Sequence, residues 1–212
     1  MIPLSKARNT ALALAIIAAF AHALAATNPT QVHDPSALKP PPGARVAIVE
    51  FEDLECPVCG NDNPLLRRAV SQYKIPWVRH DFPLPYHAWS FQAAVNARWF
   101  DSRSKRIGDD YRDQVFASQS SITTLDVLRQ FTERFANANK AGPLPFSMDP
   151  QGLFTAQVKA DRALGLRTGI EHTPTIWIVT SQSRVAPFIE VLDPGRLCQI
   201  IDQALADTKP LK

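Results

Sequence analysis

The feature that most limits this chain is a cysteine pair, Cys56-Pro57-Val58-Cys59, set where an apolar run stops and a helix begins. Val46 to Phe51, VAIVEF, is a short β-branched run of the kind found in central strands. The residues from Pro57 onward read as a helix start, which puts Cys56 at a helix N-terminus. Free N–H groups and the helix dipole favour an anion there, so the spacing predicts a thiolate with a lowered pKa. An unshifted thiol is about 3% ionised at pH 7, and one shifted to about 6 is about 90% ionised. Nucleophilicity falls with pKa, so the gain is greatest where Cys56 is the leaving group or the sulfur under attack. That balance favours an oxidant.

The other reading of a C-x-x-C is half a zinc site, which needs a second C-x-x-C or a histidine pair. The chain has three cysteines, and Cys198 stands alone. His33, His80, His87 and His172 lack ligand spacing, so no metal and no cofactor is expected. Three cysteines also cannot make a stabilising framework. Cys198, one residue off the apolar stripe of the last helix, reads as a small buried hydrophobe rather than a redox partner. His80 and His87 read as strand-end or helix-start residues. Glu52, Asp53 and Glu55 read as a solvated acidic lip that would oppose a thiolate.

Organisation along the 212 residues fits one domain with an inserted subdomain. Residues 1–25 read as a secretory signal peptide: a basic start, the apolar run Ala11 to Ala21, then Ala23 and Ala25 in A-x-A spacing. Cleavage before Ala26 or after Ala23 fits this pattern, with a retained anchor as the alternative. Residues 26–43, ending in Pro40-Pro41-Pro42-Gly43, read as an extended linker. Residues 44–87 hold the first strand, the cysteine helix and a second strand at Ile75 to His80. Residues 88–165 take on helical period, with Thr123 and Asp149-Pro150 as helix starts. Residues 166–208 return to strand at Thr175 to Thr180, a hairpin to Val191, and a final helix from Asp193-Pro194. A net charge of +3 is too small to argue for nucleic acid.

Three residues sharpen the redox reading. Glu50 lies six residues before Cys56 on the apolar strand and points inward, where a buried carboxylate can relay a proton to Cys59. Pro64, five residues after Cys59, is placed to kink the helix. Thr173-Pro174 opens the later strand, where a cis bond could turn the backbone toward the cysteines.

With these residues in place, EFEDLECPVC resembles the active-site segment of thioredoxin-fold proteins. HDFPLPYH (His80 to His87), the helical stretch after it, and HTPTIWIV (His172 to Val179) resemble the DsbA-like thiol:disulfide interchange proteins. The resemblance covers about Val46 to Ala206. It implies an α/β, thioredoxin-like fold with an inserted helical subdomain, and a cis-proline loop at Thr173-Pro174 facing the C-P-x-C pair. Val58 departs from the histidine of the strongest oxidants and offers no side-chain donor to Cys56. A potential between about −120 mV and about −270 mV is expected on that ground. His172 replaces the glycine common before Thr-Pro and could stand in as the donor.

The function expected is oxidation of dithiols in reduced exported proteins through Cys56 and Cys59. The resemblance implies a quinone-linked membrane partner for re-oxidation, in a periplasmic or other extracytoplasmic compartment. A reductase or isomerase of the same fold, or a non-enzymatic binding scaffold, are the alternatives.

Overall fold

The computed structural model describes residues 29–182 and 186–208. The expected signal peptide lies outside them. Ten elements follow in chain order: β1 (Val46–Glu52), α1 (Pro57–Tyr73), β2 (Trp77–Asp81), α2 (Ser90–Asp101), α3 (Lys105–Ser118), α4 (Leu125–Ala138), α5 (Leu153–Thr168), β3 (Thr175–Thr180), β4 (Phe188–Glu190) and α6 (Leu197–Asp207). The strands form one sheet in the order β2-β1-β3-β4. β1 runs parallel to β2, with Glu50 opposite Arg79, and antiparallel to β3, with Glu50 opposite Ile176. This is the expected thioredoxin-like sheet with four helices inserted between β2 and β3.

Every residue of β1 is buried, because helices cover both faces of the sheet. Strand alternation sends Val46 and Ile48 into a cluster with Leu66 and Ala69 of α1 and Leu197 and Ile201 of α6. Ala47, Val49 and Phe51 face the other way and meet Phe82, Trp177 and Leu164 of α5. By the same alternation Glu50 and Glu52 share the α1 side. Cys56 and Cys59 belong to neither cluster. They pack with Trp89, Phe100, Tyr111 and Phe135 of the inserted helices, at the junction of sheet and insert.

Several boundaries differ from the sequence reading. The stretch expected as a linker is packed against the body: Leu38 is buried, Pro35–Ala37 form a short 3-10 turn, the His33 amide donates to the Thr168 carbonyl, and Thr30 gives two hydrogen bonds to Glu190. Proline there limits hydrogen-bonded structure but not burial. Thr124 rather than Thr123 caps α4, donating no proton but accepting from the Val127 amide. α5 starts at Leu153 behind Gly152, and Asp149 reaches forward to accept from the Thr155 amide. Pro64 lies inside α1, which continues to Tyr73.

At Gly165, α5 packs tightly against the Phe82 ring and against Phe51 of β1. A Cβ there would stand 2.6 Å from the Phe82 ring and 3.0 Å from Phe51. Gly165→Ala is therefore expected to destabilise the protein by about 1–3 kcal/mol through overpacking, although the same change on an exposed helix stabilises. Urea denaturation of the variant checks the sign.

Candidate functional site

Cys56 is the N-cap of α1, with Pro57 in the first turn, where its missing N–H costs nothing. The Cys56 amide donates to the Asp53 carbonyl at 3.0 Å, and the Cys56 carbonyl accepts from Gly60 at 3.1 Å. The sulfur makes no capping hydrogen bond within the helix start; the Val58 and Cys59 amides of the first turn act on it as nearby positive dipoles. Cys56, Cys59 and Cys198 are free thiols in this structure. Cys56 keeps 6% of its surface and Cys59 none.

The two sulfurs are pushed in opposite directions. Cys56 is lowered to about 6, first by a hydrogen bond from the Cys59 thiol, against burial, then by the Cys59 amide, the Thr173 side chain and the Val58 amide. Cys59 is pushed well above the ordinary thiol range by burial, by giving its proton toward Cys56, and by the charges of Cys56 and Glu50. The backbone of Val58 thus helps hold the anion even though its side chain is half-exposed and apolar.

Glu50 is buried, close enough for its charge to act on Cys59, and its carboxylate accepts from Trp77 Nε1 at 3.0 Å. Burial, then the neighbouring Glu52 charge, raises its pKa well above the usual carboxylate range. A carboxyl group kept protonated in this way can give or take a proton next to Cys59. Glu52 itself is gripped by the Arg79 fork, with Nη2–Oε2 at 2.7 Å.

The Thr173-Pro174 peptide is cis and brings this loop onto the cysteines: Cys56 Sγ lies 3.3 Å from the Thr173 carbonyl, to which the thiol donates. The Thr173 hydroxyl is buried without another hydrogen-bond partner. It is therefore free to serve the sulfur when that sulfur is ionised. His172 is placed differently. It is half-buried and lines a hollow of about 360 Å³ with Pro29, Thr30, Gln31 and His33. A hydrogen bond from His172 to the Cys56 sulfur is not among those of the described residues; the influences that lower the Cys56 pKa come from the Cys59 thiol, the Thr173 side chain and the α1 amides.

The acidic lip is corrected outright. Glu52 and Asp53 are buried. Asp53 accepts from the Glu55 amide, the Leu84 amide and His87 Nδ1, at 2.7, 2.6 and 2.8 Å. Glu55 accepts from the Trp89 and Ser90 amides and so caps α2 from a distance. These carboxylates tie the redox loop to the loop after β2. His80 on β2 stacks on Phe51 and contacts Asp161 at 3.0 Å. Trp77 and Gln119, whose amide reaches the Leu54 and Cys56 carbonyls, escaped the sequence reading because each acts only across the fold. Among the described residues no cluster of three His, Cys, Asp or Glu could hold a metal ion.

The chain belongs to the thioredoxin family, whose model matches residues 41–188. Its fold is that of DsbA-like proteins, as three solved structures show. DsbA1 of Wolbachia pipientis (the alpha form) superposes with a TM-score of 0.62 at 17% identity, over 83% of this chain and 94% of that one. DsbA2 of Pseudomonas aeruginosa gives 0.56 at 20% identity, over 85% and 98%. The thiol-disulfide exchange protein alpha-DsbA2 from Wolbachia pipientis gives 0.55 at 20%, over 78% and 84%. Among curated proteins, none matches this sequence.

The site predicts a pH-dependent difference between redox states. In the reduced protein the folded Cys56 pKa, about 6, lies below its unfolded value, so the thiolate adds stability above the unfolded pKa. That contribution is lost as pH falls through 6. The oxidised protein has no thiol to titrate there. The stability of the reduced form relative to the oxidised form should rise from pH 5 to pH 8, as read from paired urea midpoints. A gap independent of pH would mean that the Cys56 pKa is not depressed.

Proposed function

We propose that this protein is a thiol–disulfide oxidoreductase that oxidises dithiols of exported proteins through Cys56 and Cys59. One observation carries the reading: two sulfurs three residues apart are driven to opposite protonation states, Cys56 toward the anion and Cys59 toward the thiol. That arrangement stabilises the reduced enzyme, which makes its disulfide oxidising. The fold shared with a thiol-disulfide exchange protein supports the same class of chemistry.

In the proposed reaction a substrate thiolate attacks Sγ of Cys56 in the Cys56–Cys59 disulfide. The S–S bond breaks, Cys59 leaves with the electron pair and takes a proton from the Glu50 carboxyl, and a mixed disulfide joins substrate to Cys56. A second substrate thiolate attacks the substrate sulfur of that bond, and Cys56 leaves as a stable thiolate. Two electrons pass to the enzyme; of the two substrate protons, one ends on Cys59 by way of Glu50 and one goes to solvent. Re-oxidation returns both electrons to a quinone-linked disulfide partner at the membrane. Thr173 and Pro174 border the path of the incoming chain, and Pro57 and Val58 flank it. Residues 1–25 act as the export signal.

Cys59→Ser should accumulate mixed disulfides with reduced substrate proteins, and Cys56→Ser should trap very few, on non-reducing gels. Titration of the wild type in glutathione buffers, followed by tryptophan fluorescence, should give a potential between about −270 and about −120 mV. Equal trapping by both variants would overturn the assignment of roles, and a potential at or below that of thioredoxin would favour a reductase.

A further inference from the structure

Gln119 opens the short 3-10 turn Gln119–Ser121 that follows α3, 63 positions from Cys56 in sequence. Its side-chain Nε2 donates to the Leu54 carbonyl and to the Cys56 carbonyl, each at 2.9 Å. One amide thus satisfies two carbonyls of the redox loop, and the second belongs to the residue that carries the thiolate. A carbonyl oxygen carries partial negative charge; without Gln119 the Leu54 carbonyl would lose its side-chain donor and the Cys56 carbonyl would keep only the Gly60 amide, both beside an anionic sulfur.

Gly60 supplies the independent observation. A Cβ on Gly60 would stand 2.6 Å from Gln119 Oε1 and 3.2 Å from its Cδ. Gly60 is not among the positive-φ glycines, so its backbone conformation does not call for glycine. The missing side chain makes room for the amide, which lies against the first turn of α1. Glycine in a helix costs about 0.5–1 kcal/mol, a cost offset here by the close fit of Gln119.

We propose that Gln119 is a positioning residue for the redox pair, an amide strap from the helical insert that holds the Leu54–Cys56 turn so that the α1 amides point at the Cys56 sulfur. This rests on the redox reading above. Losing the strap lets the turn relax, weakens those amide contacts and raises the Cys56 pKa. The insert thereby sets the oxidising strength of a site on the neighbouring sheet domain, through Gln119.

The test uses Gln119→Met, which keeps the length and removes the donor, and Gly60→Ala, which keeps Gln119 but displaces its amide. The Cys56 pKa is read from thiolate ultraviolet absorbance, the equilibrium with glutathione from fluorescence, and folding from thermal melting. Each variant should raise the Cys56 pKa by about half a unit and make the disulfide about threefold less oxidising. In the double variant the two shifts should not add, because both remove the same contact. Variants that melt earlier with an unchanged pKa and glutathione equilibrium would overturn the proposal and leave Gln119 a purely structural residue, as would additive shifts in the double variant. A wild-type Cys56 with an ordinary thiol pKa is a separate result that overturns the functional reading itself. Should Gln119→Met fail to fold, Gly60→Ala alone decides.

Discussion

Glu52 is a carboxylate with no access to water, and the seating of the helical insert follows from how its charge is met. Arg79 of β2 grips it with its fork, and Arg112 of α3 brings Nε to 3.4 Å. Arg112 also forks onto Asp101 of α2, and Arg98 of α2 bridges Asp81 of β2 to Asp161 of α5. A buried charge is tolerable only when paired, and removing one partner costs about 3–5 kcal/mol. Such networks add little net stability over apolar packing, but they penalise wrong geometry severely. An insert shifted by one helical turn would strand at least one of these arginines. The network therefore fixes where α2, α3 and α5 sit relative to β1 and β2.

That fixed seating reaches the sulfurs by two routes. Strand alternation puts Glu50 on the same face of β1 as Glu52, so the ionised Glu52 helps keep Glu50 protonated while Arg79 opposes it. Burial remains the larger cause. The carboxylate that docks the insert thus also biases the acid that acts on Cys59. The second route is packing: Trp89, Phe100 and Tyr111 close over the cysteine helix and exclude water from Cys59. Desolvation of Cys59 is the leading cause of its raised pKa, so the insert acts on the redox pair without contributing a charged group to it.

What could be read from the sequence divides along the same line. The strand at Val46, the helix at Pro57 and the cis bond at Pro174 are local, set by alternation, by a proline at a helix start and by an X-Pro peptide. Glu50 was legible because strand period and a short spacing to Cys56 are both local quantities. The acidic run after it misled for the opposite reason. Glu52, Asp53 and Glu55 look solvated in one dimension, and their partners, Arg79, His87 and the α2 amides, come from across the fold. Trp77 and Gln119 carried no signal, since a tryptophan in a strand and a glutamine after a helix are ordinary. His172 was read by adjacency to Thr173, and the fold also places it along a hollow lined by residues of the N-terminal segment.

The opposed sulfurs also limit how a partner could react. Cys59 has no exposed surface and Cys56 keeps 6% of its own, so in the proposed reaction an incoming sulfur meets only Cys56. The Thr173 carbonyl lies 3.3 Å from the Cys56 sulfur, and the Val58 side chain, two residues along, is half-exposed. A folded protein with its thiols in a core could not present a sulfur there, whereas an extended chain could lie along the Thr173 backbone and do so. Val58 leaves an apolar side chain exposed beside Cys56, while the amides of α1 and the Cys59 thiol lower the sulfur's pKa. The side chain of residue 58 faces solvent while its backbone amide acts on the sulfur, so the identity of that side chain can vary without removing this contribution to the low Cys56 pKa.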